Sequence, residues 1–340
     1  MSSIREARLM LQTARIWEEE GNRLALLTLV NVKGSAYRRP GAKMVMASHG
    51  QMQGTLSGGC LEGDLFLHAE RAMSEGTPLL RRYDLTEDEM WGLGIGCKGQ
   101  VEIWIEPLSM TDPFWQGLAK AVTQDHPVIW GGELPLGTRF FAPERAVWQV
   151  SGEKPIPFGW DEVESYGSSG VLEEFWWDVM RPPERLIIAG AGHDARPVAK
   201  LAQEAGFDVV VLDPREMVNT DEHFPGAVHL VKNALEARDD EIRDSMWVIM
   251  NHHQRRDEEA LQQANRSRPR FVGVLGPRSR TEEMIQHVKL APGLPLYSPV
   301  GLDLGAESPD EVAISIVSEL MAARAHTEGG SLNGKNRIHR

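Results

Sequence analysis

The sequence predicts an α/β protein: an N-terminal mixed α+β domain with glycine-rich cysteine loops, followed by a C-terminal Rossmann-like doubly wound domain. Three observations carry this. From about residue 184 strand-like and helix-like segments alternate, the pattern of βαβ units. The first of these turns reads Gly190-x-Gly192-x-x-Ala195, with Asp213 closing the next strand. In the first third, short apolar runs are broken by glycine loops that hold both cysteines, Cys60 and Cys97. The expected division is 1–108, 109–183 as a tryptophan-rich middle segment or linker, 184–326 as the Rossmann-like domain, and 327–340 as a mobile tail.

The 340 residues suffice for two hydrophobic cores. A formal charge of −13 with no compensating basic stripe argues against nucleic acid and acidic membranes as partners. The first 21 residues form a charged amphipathic helix pattern ending at Gly21, without the apolar core of a signal peptide. No run is long enough to span a bilayer. Two cysteines make no disulfide framework. The expectation is a cytoplasmic protein.

After that helix, Leu24 to Val32 reads as a buried strand, and the loop G-S-A-Y-R-R-P-G-A-K precedes the apolar run Met44 to Ala47. Tyr37, Arg38, Arg39 and Lys43 in this loop are candidates for gripping an anionic ligand. A second glycine loop, S-G-G-C-L-E with Gly58, Gly59 and Cys60, leads into a helix closed by Gly76. Glu62 and Asp64 read as first-turn carboxylates favoured by the helix dipole. G-I-G-C-K-G surrounds Cys97. Glycine beside cysteine turns the backbone tightly and leaves the sulfur uncrowded, so both thiols look presented rather than packed. V-E-I-W-I-E alternates with period two, a half-buried strand. A small mixed sheet covered by helices is expected.

The middle segment contains Trp115, Trp130, Trp148, Trp160, Trp176 and Trp177 among short strand-like pieces. They fill an irregular core or form a contact surface of a homodimer or partner complex. The paired prolines in R-P-P-E mark the next boundary.

In the last part, E-R-L-I-I-A, V-V-V-L, W-V-I-M and F-V-G-V are buried parallel-type strands, and S-P-D-E caps the final helix. In the turn, Gly190 permits the tight bend and Gly192 the approach of a pyrophosphate. Ala195 permits close packing of helix on strand. Asp213 stands where a carboxylate can accept from a ribose hydroxyl. His193 lies in the turn. His252 and His253, adjacent in M-N-H-H-Q-R-R-D, point apart and offer one histidine to a cleft rather than a two-histidine clamp. Asp257 reads as a cap for the helix that follows.

Taken together, G-S-A-Y-R-R-P-G-A-K-M, S-G-G-C-L-E, G-I-G-C, G-A-G-H-D-A, V-L-D-P-R, M-N-H-H-x-x-x-D, G-V-L-G and P-V-G-L-D-L-G-A-E-S-P-D-E-V-A-I-S-I resemble the XdhC/CoxI family. These are accessory proteins of xanthine dehydrogenase and related molybdenum hydroxylases. The match runs in order through both end regions and omits the tryptophan-rich middle. Lys98 stands where glycine is commoner, and Asn251 where threonine is.

The resemblance implies a chaperone that binds the molybdenum cofactor (molybdopterin, in its simple or dinucleotide form), protects it during sulfuration and delivers it to the apo-hydroxylase. A cysteine desulfurase would then be a further partner. Cys60 and Cys97 would face the molybdenum, thiolate being a soft ligand. Arg38, Arg39 and Lys43 would hold anionic groups, and the turn with Asp213 the phosphate tail. No Ser-His-Asp order, Walker sequence or carboxylate pair argues for turnover. The rival from another class is an NAD(P)-dependent oxidoreductase, which explains the second domain but gives the cysteine loops no role. A purely structural assembly factor would explain the tryptophans alone.

Overall fold

A computed structural model describes residues 4–85, 99–124, 126–134 and 137–334. The chain divides into two compact units, Met1–Pro182 and Pro183–Arg340. The break falls between the paired prolines.

The first unit opens with helix α1 (Ile4–Glu19), whose Ile4, Ala7, Met10, Leu11 and Ala14 form the buried stripe of an amphipathic helix. Strands β1 (Leu24–Gly34), β2 (Lys43–Ala47), β3 (Met52–Gly54), β4 (Leu79–Asp84) and β5 (Gly99–Leu108) form one sheet, with helix α2 (Glu62–Glu75) between β3 and β4. The strand order is β3-β2-β1-β5-β4. Every pairing is antiparallel, so the expected mixed sheet is corrected. Helix α2 ends at Gly76 in the left-handed region, as its sequence required.

Both faces of this sheet are covered. Ala25, Leu27, Leu29, Ile103 and Ile105 pack under α2. Leu24, Leu26, Val45 and Trp104 face a second core with α1. Burial on two faces explains the continuous apolar run of β1. It also corrects the reading of V-E-I-W-I-E: Trp104 and Glu106 are buried along with the alternating isoleucines.

The middle segment is not a linker without regular elements. Helix α3 (Pro113–Ala121), strands β6 (Val128–Glu133), β7 (Arg139–Pro143) and β8 (Gln149–Ser151), helix α4 (Trp160–Tyr166), and strands β9 (Ser169–Leu172) and β10 (Phe175–Met180) build a five-stranded antiparallel sheet of order β8-β7-β6-β10-β9. The tryptophans are its packing. Trp115, Trp130 and Trp176 meet edge-on or tilted, within 6 Å between centroids, in the core shared with the first sheet. Trp160 and Trp177 fill the opposite face with α4. Trp148 alone of the six is half-buried. Buried rings cannot serve as a dimer surface, so the reason the sequence offered for a homodimer falls away.

In the second unit, strands β11 (Arg185–Ala189), β12 (Asp208–Leu212), β13 (Val228–Leu230), β14 (Met246–Ile249), β15 (Phe271–Val274) and β16 (Leu296–Tyr297) form a wholly parallel sheet. Their order is β13-β12-β11-β14-β15-β16, the doubly wound 3-2-1-4-5-6 arrangement. Helices α5 (Ala195–Glu204) and α9 (Pro309–Arg324) cover one face. Helices α6 (Asp239–Ile242), α7 (Gln254–Arg266) and α8 (Arg278–His287) contribute to the core on the other. The expected cap of α9 forms: Ser308 Oγ accepts from the Glu311 N–H, and the Glu311 carboxylate accepts from the Ser308 N–H.

Candidate functional site

Two of the three motif loops in the first unit meet at one end of its sheet. Strand β1 runs out at Gly34 into the basic loop, and β2 returns from it at Lys43. Strand β3 ends at Gly54, opposite Met44, and releases the Cys60 loop at the same end. The Tyr37 ring lies against Gly58, where a Cβ would come within 3.4 Å of the ring. Gly99, the first residue of β5, pairs with Gly34 at this end too. Cys97 and Lys98, just before it in sequence, lie outside the described residues.

The Cys60 loop is held from within. Gly58 and Gly59 adopt positive φ, at 73° and 111°, which bends the chain around the thiol. Cys60 is half-buried and free, and its Sγ donates to the Ser57 carbonyl at 3.1 Å. The Glu62 carboxylate accepts from the N–H groups of Ser57, Gly59 and Leu61 and from the Ser57 hydroxyl. Burial opposes ionisation there, but these donors outweigh it and hold the carboxyl below its usual range. Leu61, at the helix cap position, has no side-chain oxygen, and Glu62 supplies the missing acceptor. Beside Gly59 a Cβ would meet nothing within 4 Å, so the outer flank of the loop is open.

The basic loop divides its residues. Arg38 reaches Glu6 of α1 at 3.3 Å and stays partly exposed. Arg39 is exposed. Lys43, expected beside them, turns the other way. Its register opposite Thr28 directs it into the core between the two sheets, where it pairs with the buried Asp178 and lies 4.8 Å from the Trp130 ring centroid. It therefore anchors the loop rather than offering a cation to a ligand. Gly41 belongs to the same anchor, because a Cβ there would lie 2.5 Å from Asp178 Oδ1. Ser169 Oγ donates to the Pro40 carbonyl beside it. Nothing in the sequence linked Asp178 to this loop, 135 residues earlier.

In the second unit the turn after β11 takes the expected form. Gly190, with φ 122°, crosses the end of β14 so closely that a Cβ would sit 2.6 Å from the Met250 carbonyl. His193 is exposed. Asp213 closes β12 but is completely buried. Its Oδ2 accepts from the Ala191 N–H at 2.8 Å and from the Arg215 guanidinium at 2.6 Å; its Oδ1 accepts from the Arg215 N–H and Nε at 2.9 Å. Desolvation alone would raise its pKa, yet the Arg215 and Ala191 bonds hold it below the ordinary carboxylate value. As found, this acid staples the glycine turn. Beyond it, Ala189, Leu212, Pro214, Asn233, Asn251 and Arg256 line a small recess of about 10 Å³ at the carboxyl ends of β11, β12 and β14, the edge where doubly wound sheets take ligands. Asp257 is buried and accepts from the Asn251 N–H and side chain and from Arg280, so it ties the loop before α7 to α8.

The chain thus joins a parallel, doubly wound Rossmann-like domain to a preceding antiparallel α+β unit that presents a half-buried thiol. Residues 186–320 match the XdhC Rossmann domain, and residues 17–84 match the XdhC and CoxI family. The chain belongs to the XdhC and CoxI family. It is 31% identical to a probable xanthine dehydrogenase subunit from Bacillus subtilis over 326 residues, 90% of this chain and 94% of that one. It is 25% identical to the molybdenum cofactor insertion chaperone PaoD of Escherichia coli over 317 residues, 92% of this chain and 86% of that one. A crystal structure described as a xanthine dehydrogenase from Bacillus halodurans superposes with a TM-score of 0.81 at 31% identity, covering 97% of this chain and 98% of the other.

Proposed function

We propose that the protein is an accessory factor for a molybdenum hydroxylase of the xanthine dehydrogenase type, which binds the molybdenum cofactor, shelters it while its sulfur ligand is installed and passes it to the apo-enzyme. The observation that carries this reading is the Cys60 loop: a free, half-buried thiol on a glycine bend with one open flank, at the same sheet end as Tyr37, Arg38 and Arg39. A soft thiolate suits a sulfur-rich molybdenum centre, and guanidinium groups suit phosphate. Cys97, in its own glycine frame, is proposed as the second thiol, and a cysteine desulfurase as the sulfur donor's source. In the second unit the G-x-G turn would receive the phosphate or nucleotide tail. The names of the Escherichia coli and Bacillus subtilis relatives support the cargo and the class of acceptor enzyme.

The NAD(P)-dependent oxidoreductase reading draws on the same turn. It needs a residue that reads the adenosine ribose, and both oxygens of Asp213 already serve Ala191 and Arg215. It also leaves the Cys60 loop without a task.

The test is retention of cargo. The full chain is mixed with molybdenum cofactor released from a molybdoenzyme, desalted, and assayed for molybdenum and pterin. Cys60→Ser and Cys97→Ser should fold with unchanged thermal stability and retain less of both. Full retention by each variant and by the double variant would remove the thiols from the function.

A further inference from the structure

The second glycine of the turn, Gly192, is the place where a phosphate would approach the backbone, and a side chain of this chain already lies there. A Cβ on Gly192 would sit 2.6 Å from Asp194 Oδ1, so the Asp194 carboxylate lies over that glycine. Asp194 occupies the N-cap position of α5, where aspartate ordinarily accepts from the first free N–H groups of the helix. It makes no such bond. Its carboxylate instead reaches His252, whose Nε2 lies 2.6 Å from Asp194 Oδ2 across 58 residues of sequence. His252 sits in the loop after β14 with φ 54°, a left-handed conformation that residues other than glycine seldom adopt. An acid at a cap position that does not cap, a histidine reaching it from a neighbouring loop, and an anion over the glycine all point the same way.

We propose that Asp194 and His252 form a latch on the G-x-G-x-x-A turn: the carboxylate lies over Gly192 where a phosphate would come, His252 holds it there, and the pair must part before an anionic ligand can dock. The proposal rests on reading this turn as a phosphate site. It makes the turn selective for ligands that bring enough other contacts to open the latch, and it gives the second histidine-bearing motif a role that the thiol chemistry does not use. The helix N–H groups stay available because Asp194 is drawn away from them.

The sign of the effect separates a latch from a ligand contact. Binding of inorganic pyrophosphate and of ADP to the full chain is measured by titration calorimetry. Asp194→Asn keeps the shape and removes the competing charge, so it should bind pyrophosphate at least about fivefold tighter than the unaltered protein, the effect of deleting a like charge about 4 Å away even when water screens it fully. His252→Ala added to Asp194→Asn should change nothing further, since no carboxylate remains to be held. Gly192→Val should abolish binding in either background. Binding by Asp194→Asn that is unchanged or weaker, or a loss on adding His252→Ala, would overturn the latch while leaving a Gly192-dependent phosphate site standing. No binding of either probe by the unaltered protein and by Asp194→Asn would reject the phosphate site itself, and the latch with it.

Discussion

Glu106 is the residue most at odds with its surroundings. It closes an alternating strand in which the charged positions ought to face water, yet the second sheet covers that face and leaves 4% of the residue exposed. Burial raises its pKa from the ordinary 4.5 to about 7, against the lowering effect of Arg139 and a Trp104 hydrogen bond. The fold therefore favours the protonated form, and stability falls as pH rises from 4.5 through 7. Glu106→Gln should leave the melting temperature nearly unchanged at pH 4.5 and raise it at pH 8, by the equivalent of about 3 kcal/mol. Equal melting temperatures at pH 8 would mean that the carboxylate is stabilised where it lies. Asp213 gives the opposite case, an acid whose ionised form is held by Ala191 and Arg215. Asp213→Ala should cost roughly 1–3 kcal/mol of stability, because it orphans a buried N–H and a guanidinium. Unchanged thermal unfolding would return Asp213 to the role of a ligand contact.

At the scale of elements, the two loops of the first unit are built from opposite ends. The basic loop is anchored by a distant strand: Asp178 of β10 holds Lys43 and crowds Gly41. Removing one partner strands a buried charge, so Lys43→Ala should lower stability by about 3–5 kcal/mol. Lys43→Met with Asp178→Leu should recover much of that, as read by denaturant unfolding; no recovery would deny the coupling. The Cys60 loop is held locally by Glu62. Glu62→Ala should open it, and alkylation of Cys60 by iodoacetamide should become severalfold faster with little change in melting temperature. An unaltered rate would mean that the glycines alone fix the loop.

This contrast also explains what was legible in the sequence. The helix caps, the G-x-G turn and the strands of the doubly wound sheet are local signals with local causes, and they lie where the pattern put them. The second sheet was missed because its strands are short and Gly- and Pro-broken, and its central strands β6, β7 and β10 are buried on both faces, which erases period-two alternation. Of the candidate residues, Gly58 of the Cys60 loop lies against the Tyr37 ring, a contact that no local pattern announced. Lys43 departs because its partner is 135 residues away, and no pattern in one chain encodes such a pairing. Asp213 stands at the expected place with a different task, since position at a strand end does not reveal that Arg215 will fold back onto it.

For the whole molecule, this member of the XdhC and CoxI family is proposed to carry molybdenum cofactor. Among the described residues no helix is long and apolar enough to cross a membrane. The most direct measurement is a comparison: the purified full chain is offered molybdenum cofactor and NAD(H) in separate samples, each is desalted, and bound molybdenum, pterin and nicotinamide are quantified. The account predicts near-stoichiometric retention of molybdenum and pterin and no retained nicotinamide. Retention of nicotinamide with neither molybdenum nor pterin would contradict it.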